Sequence, residues 1–164
     1  MTFDPKKEVL ARLEELKVPC QIHDHPPILT VEEGRKIAAR LSSLCCKSLL
    51  VKNKKKFFLI VLESNKRFDS KAAAKQIGCG HLSFASAEDL RNKLNTFAGA
   101  VSLLGLLYNE EKDVQLIFDE DVLKAEYIDC HPCTNDCSLK MSVADIIGKL
   151  LPQLGIEYKT IQMA

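Results

Sequence analysis

The run His25-Pro26-Pro27-Ile28-Leu29-Thr30-Val31-Glu32-Glu33 leaves the backbone few choices. Each proline fixes its own φ and turns the residue before it away from helix, so the approach is extended and stiff. Thr30 carries the short hydroxyl side chain of a helix N-cap. Glu33, three residues on, can close a capping box. The segment therefore predicts a rigid junction between a strand and a helix, with a histidine standing just before it.

The flanking sequence supplies the elements on either side. Asp4 and Pro5 open a first helix whose apolar stripe is Val9, Leu10, Leu13 and Leu16, and Pro19 closes it. Residues 20–23 read as a short strand. Thr30 starts a second helix with Ile37, Ala38 and Leu41 on one side, in which Gly34 costs about 1 kcal/mol relative to alanine. Two apolar runs, 48–51 and 57–62, flank Lys52-Asn53-Lys54-Lys55-Lys56 and predict a hairpin with a basic tip. Asp69 or Ser70 caps a helix through Ile77, stopped by Gly78 and Gly80, and Ser86 with Asp89 starts another over 87–94. Residues 96–100 read as a loop. The runs 101–108 and 114–118 predict a second hairpin around 109–113. Residues 126–130 and 138–141 are strand candidates, and Ser142 with Asp145 caps a last helix ending near Leu151 and Pro152.

Strands outnumber helices in this reading, and several neighbours are hairpins. The expectation is an α+β fold, one domain over residues 1–164, with a mixed, mostly antiparallel sheet and flanking helices. A net charge of +1 provides no global field toward nucleic acid, so any such contact must come from a local patch. No apolar run approaches the roughly 20 residues that cross a bilayer. Met1-Thr2-Phe3 and the residues after it carry no apolar leader. These features predict a cytoplasmic protein without a membrane partner, whose seven cysteines are free thiols rather than a disulfide framework.

Several motifs bear on chemistry. Cys130, Cys133, Cys137 and His131 are zinc-type ligands, but four ligands within eight residues are too crowded for the usual pair of separated knuckles. Cys130-x-x-Cys133 lacks the helix that should follow a thioredoxin-like motif. Cys45-Cys46-Lys47 places thiols beside a cation, without a histidine that spacing alone would supply as base. Gly78-x-Gly80 is too short to cradle a dinucleotide. No metal and no cofactor are expected. Lys52, Lys54, Lys55 and Lys56 suit a phosphate backbone and equally suit a solvated turn.

Five fragments in order resemble the YbaK/prolyl-tRNA-synthetase-associated domain family, in its free-standing ProX or PrdX branch. They are the opening run 25–33, Lys47-Ser48-Leu49-Leu50-Val51-Lys52, Leu82-Ser83-Phe84-Ala85-Ser86, Gly99-Ala100-Val101-Ser102 and His131-Pro132-Cys133-Thr134-Asn135. The resemblance spans residues 10–151. It implies a trans-editing deacylase that hydrolyses mischarged aminoacyl-tRNA, with alanyl-tRNA(Pro) the expected substrate and water the attacking group. On that resemblance Lys47, Gly99, Ala100 and His131 are the catalytic set, with backbone N–H groups of the Gly99 loop forming an oxyanion hole. Pro27, Leu29, Thr30, Ser48, Val101, Ser102 and Asn135 line the substrate site. Lys52, Lys54, Lys55 and Lys56 hold the tRNA, expected to be tRNA(Pro), and prolyl-tRNA synthetase or an elongation factor are the transient protein partners. The rival expectations are a binding module of the same fold without hydrolysis, and a cysteine-based redox or zinc protein. Two departures touch the pocket: Ser48 stands where relatives usually carry asparagine, and Leu103 where they tend to carry proline.

Overall fold

The computed structural model describes residues 4–164; Met1, Thr2 and Phe3, read above as lacking a leader, lie outside the described residues. Helix α1 (Pro5–Glu15) starts as its sequence requires, with Pro5 in the first turn and the Asp4 carboxylate accepting from the Lys7 N–H, and it buries Val9 and Leu13. After strand β1 (Gln21–Asp24), helix α2 (Val31–Leu41) begins at Thr30, whose side chain accepts from the Glu33 N–H. Glu33 does not complete the expected box on Thr30. Its carboxylate reaches one residue further and accepts from the Leu29 N–H at 2.7 Å. The helix thereby ties down the chain that precedes it.

Strands β2 (Cys46–Asn53) and β3 (Lys56–Glu63) form the predicted hairpin, paired from Cys46↔Glu63 to Asn53↔Lys56. Lys54 turns the corner with φ +56°. Helix α3 (Ser70–Ile77) is capped by Asp69 and ended by Gly78 at φ +85°. The two-residue strand β4 (Ser83–Phe84) and helix α4 (Ala87–Leu94) follow, the latter with a full Ser86/Asp89 capping box. Beyond them come β5 (Val114–Asp119), the short helix α5 (Glu120–Leu123), β6 (Tyr127–Cys130) and β7 (Cys137–Ser142). The chain closes with α6 (Val143–Asp145), a π-helical stretch Ile146–Leu150, α7 (Leu151–Leu154) and β8 (Tyr158–Ile161).

The strands make two sheets, in the orders β1-β7-β6 and β4-β2-β3-β5-β8. The first is antiparallel throughout. The second is mixed, because β5 lies parallel to both β3 and β8. β3 is buried on both faces. Phe57, Leu59 and Val61 join one apolar cluster, and Phe58, Ile60 and Leu62 join the other. That is why its sequence is an unbroken apolar run rather than an alternating one. The α+β expectation with mostly antiparallel pairing holds, distributed over two sheets.

Three sequence expectations need correction. Residues 101–108 are not a hairpin strand: Leu103–Tyr108 is a 3-10 helix, with Leu103, Leu104 and Leu106 buried. A short, continuously apolar run fits a buried helix as well as a strand, and packing decides between them. β8 went unpredicted because four residues, Tyr158-Lys159-Thr160-Ile161, carry too little pattern to stand out. The last helix runs past Pro152 to Leu154 and stops at Gly155, φ +66°. Pro152 follows the π-helical stretch, where the wider ladder tolerates a residue without an N–H.

Gly105 fixes how closely the 3-10 helix approaches α4. A Cβ there would stand 2.7 Å from the Leu94 Cβ and 3.0 Å from the Leu94 carbonyl oxygen. Gly105→Ala should therefore destabilise the fold by about 1–3 kcal/mol through overpacking, read as a lower urea midpoint at unchanged slope.

Candidate active site

The two sheets are stitched together at one point. The Leu44 N–H donates to the Tyr127 carbonyl at 2.9 Å, and the Asp129 N–H donates to the Leu44 carbonyl at 3.3 Å, a parallel bridge between the chain entering β2 and strand β6. The ladder then stops and the strands part. On its outer edge β2 meets β4 only at Val51 and Lys52, and the Ala85 N–H donates to the Leu50 carbonyl. Backbone groups of alternate residues share an edge, so Ser48 and Cys46 point theirs the same way, with no strand among the described residues to receive them. Had the ladder continued, the Ser48 N–H would face the His131 carbonyl. Instead the Ser102 hydroxyl donates to that carbonyl at 2.5 Å.

The gap between the diverging strands is a cleft of about 250 Å³. Its walls include Leu29 and Thr30, Lys47 and Ser48, Gly99 and Val101, and His131. Ile28, Val31, Gly34, Cys45, Cys46, Ser64 and Ala98 complete the lining; of these, the sequence drew attention only to Cys45 and Cys46, as thiols beside a cation, and to Ile28 and Val31 as members of the opening run. Roomier surface depressions of about 400 and 630 Å³ lie elsewhere, one beside Asn109–Gln115 and one between Arg67–Ala72 and the last three residues. Neither holds the lysine, histidine and glycine-loop combination.

Each wall is fastened by main-chain hydrogen bonds. The Ile28 N–H donates to the Asn135 carbonyl at 2.9 Å and the His25 N–H to the Asp136 carbonyl at 3.0 Å. The Asn135 amide reaches the Ile28 carbonyl at 3.4 Å. Asn135 thus binds the proline segment to the loop after β6 instead of lining the cleft. His25 has both ring nitrogens engaged, with the Pro26 carbonyl at 2.8 Å and the Ser138 hydroxyl at 2.9 Å. Both nitrogens are thus taken up within the fold. Pro27 is exposed and stands off the cleft, and Ile28 takes the wall position beside Leu29.

The glycine loop is a 3-10 turn, Ala98–Ala100. Ala100 does not meet the cleft: it is fully buried, and its N–H donates to the Phe97 carbonyl at 2.9 Å. The Gly99 and Val101 N–H groups have no hydrogen-bond partner among the described residues. Gly99 does not have positive φ, and a Cβ there would make only ordinary contacts, 3.4 Å to the Phe97 ring and 3.9 Å to the Asn135 amide. Its lack of a side chain leaves room in the cleft and relieves no strain.

Among the described residues Lys47 pairs with no carboxylate. Its ammonium therefore remains available to an anionic or carbonyl oxygen. His131 is half-buried, and its Nδ1 lies 3.2 Å from the Cys137 carbonyl. A carbonyl partner makes Nδ1 the protonated nitrogen and leaves Nε2 as an acceptor. Burial, aided by the charge of His25 and opposed by the Cys137 hydrogen bond, holds the ring below the ordinary 6.5, so it is neutral at pH 7. Burial pushes the Cys45 and Cys46 thiols up, despite the Ser64 hydrogen bond to Cys45, which keeps them protonated and poor nucleophiles. The buried Cys133 thiol is pushed up to about 12.

The basic residues lie apart from this cleft. Lys52 is tied to Asp89 at 2.9 Å, the same carboxylate that closes the α4 capping box. Lys54, Lys55 and Lys56 occupy the hairpin tip. Lys54 is seven residues of extended strand from Lys47, roughly 23 Å.

Known proteins resemble this chain in sequence and in fold. Residues 25–148 match the family model of the aminoacyl-tRNA editing domain. The prolyl-tRNA editing protein ProX of Acetoanaerobium sticklandii is 31% identical over 165 residues, covering 99% of this chain and 100% of that one. A prolyl-tRNA synthetase associated domain-containing protein of Xenopus laevis is 30% identical over 153 residues, 90% of each chain. The chain belongs to the aminoacyl-tRNA editing domain family. A crystal structure provisionally described as a trans-editing enzyme for prolyl-tRNA synthetase superposes with a TM-score of 0.75 at 18% identity, covering 99% of this chain and 98% of that one. At that identity the likeness speaks for the fold.

The His131 ring gives a pH-dependent expectation. An unfolded chain takes up a proton near pH 6.5 that the folded ring resists. The stability this contributes is complete above about pH 6.5 and is lost as pH falls toward the depressed native value. His131→Asn, which keeps a donor toward the Cys137 carbonyl, should flatten the difference in urea midpoint between pH 7.5 and 5.5.

Proposed function

We propose that this protein is a free-standing hydrolase that removes the amino acid from mischarged tRNA, with alanyl-tRNA(Pro) as substrate. The supporting observation is the convergence of Lys47, Gly99, Val101 and His131, far apart in sequence, on one cleft in a member of the aminoacyl-tRNA editing family. An aminoacyl ester is already activated, so the protein needs mainly to position water and stabilise an oxyanion. In this reading water adds to the ester carbonyl, and the Gly99 and Val101 N–H groups receive the oxyanion. Lys47 lends positive charge to it or to the terminal nucleotide. His131 Nε2 accepts a hydrogen bond from the substrate amine or the water. Collapse expels the ribose oxygen, which takes the proton released by the water, with the neighbouring ribose hydroxyl assisting. The products are the free amino acid and intact tRNA.

A cleft of about 250 Å³ is small beside the roughly 300–1,000 Å³ of drug-sized ligand sites, and it suits an alanyl group. Leu29 and Thr30 supply the wall against larger residues. Lys54, Lys55 and Lys56 contact the tRNA body, whereas Lys52 is taken up in its ion pair with Asp89. The site of action is the cytoplasm, with prolyl-tRNA synthetase and an elongation factor as transient partners.

Purified protein incubated with alanyl-, cysteinyl- and prolyl-tRNA(Pro) should clear the alanyl ester fastest. Decay of all three at the buffer rate would instead leave a tRNA-binding module. Lys47→Ala should lower deacylation about 10²–10³-fold with an unchanged melting temperature. Replacing Lys54, Lys55 and Lys56 together by alanine should shrink the salt dependence of tRNA binding, by roughly 0.7–0.9 in log–log slope for each phosphate that is no longer neutralised.

A further inference from the structure

Phe84 is a large aromatic side chain that is 67% exposed, on a strand that is itself firmly held. It pairs with Val51, the next residue donates from its N–H to the Leu50 carbonyl at 3.0 Å, and Asn53 donates to the His81 carbonyl at 2.8 Å. Paired residues in a ladder share a face, so Phe84 lies on the same side of β2 as Val51, Leu49 and Lys47. The Phe68 ring stands behind it, 6.2 Å between centroids at 56°, and packs on the cluster that holds Val51. The result is a fixed aromatic surface about four strand residues, roughly 13 Å, from Lys47.

Cations accompany its backing ring, Arg67 and Lys71 sharing a surface depression with Phe68, while Glu88 is exposed four residues beyond Phe84. Arg67, Lys71 and Lys75 are exposed, and among the described residues none is in an ion pair. Lys71 and Lys75 share one face of α3 and, with His81, line a shallow cleft of about 300 Å³. The nearby Asp69 carboxylate is occupied in accepting from the Lys71 and Ala72 N–H groups. Exposed rings beside unpaired cations are the pattern that binds single-stranded nucleic acid, bases stacking on the rings while phosphates follow the charge.

We propose that Phe84, backed by Phe68 and flanked by Arg67, Lys71 and Lys75, is a stacking platform for the unpaired nucleotides that lead to the aminoacylated 3′ end. This rests on the reading of the protein as acting on aminoacyl-tRNA. The distance fits: roughly 13 Å spans about four stacked nucleotides at ~3.4 Å each, and fewer when they are splayed. The ring holds the tail, and Lys47 meets its end.

The test is binding of a 5′-labelled acceptor-stem RNA with its unpaired 3′ tail, against the same stem with the tail removed. The wild type should prefer the tailed RNA, and Phe84→Ala should weaken tailed binding roughly five- to a hundredfold while leaving the tailless stem unchanged. Phe84→Tyr should keep the preference and Phe84→Leu should not, which separates stacking from mere apolar contact. The proposal is overturned if the wild type shows no preference, or if Phe84→Ala binds both RNAs as the wild type does. It is equally overturned if Phe84→Ala alters the oligomeric state with RNA binding intact, which would give this face to a second copy. No hydrolysis enters this readout. A wild type that prefers the tailed RNA but cleaves no ester sinks the proposed activity alone.

Discussion

The site depends on a ladder that begins and then stops. Two hydrogen bonds through Leu44 bring the two sheets into register, and beyond them β2 and β6 diverge. An ordinary parallel pairing would continue and fill the space with backbone. Here the Ser102 hydroxyl takes the His131 carbonyl that a continued ladder would have offered to Ser48. The open edge of β2 is thereby spared from strand pairing and faces the cleft.

The residues that would meet a substrate are few, and most of the surrounding polar contacts hold the walls in place. Asn135 and Asp136 carbonyls fasten the proline segment, Cys137 sets the His131 tautomer, and Glu33 holds the Leu29 N–H. Each is a short-range bond between residues already close in space. Together they hold the backbone of that wall, while the Leu29 side chain stays largely exposed. The electrostatics follow from the same burial. A neutral imidazole and protonated thiols leave Lys47 as the charged group of the cleft.

How much of this the sequence disclosed depended on how local the cause was. Asp4 with Pro5, Thr30, Asp69 and the Ser86/Asp89 pair each act within one helical turn, and each helix starts where they direct. The hairpin from Cys46 to Glu63 was legible because its turn and both strands adjoin. Residues 101–108 were misread because a short apolar run fits a buried helix as well as a strand, and the close approach of Gly105 to Leu94 on another helix leaves no local mark. β8 was missed because its partner β5 lies some forty residues earlier in the chain. Lys47, Gly99 and His131 were singled out by resemblance to a family, and nothing in their spacing says that they share a cleft. Gly34 and Ser64 carry no local signal for a site, since they line the cleft only through where the two sheets part.

The pairing of β1 with β7 joins Asp24 to Cys137, whereas β2 and β3 are joined across a turn of only two residues. Loop-closure entropy and contact order make the hairpin an early event and the long-range pairing a late one. The strand bearing Lys47 can thus be in place while the opposite wall is still unformed. A partly folded chain would present the lysine without the enclosure, and the cleft would exist only once the slowest pairing had closed. The geometry of this site is therefore a property of the completed molecule, and its appearance would mark the end of folding more faithfully than secondary structure does.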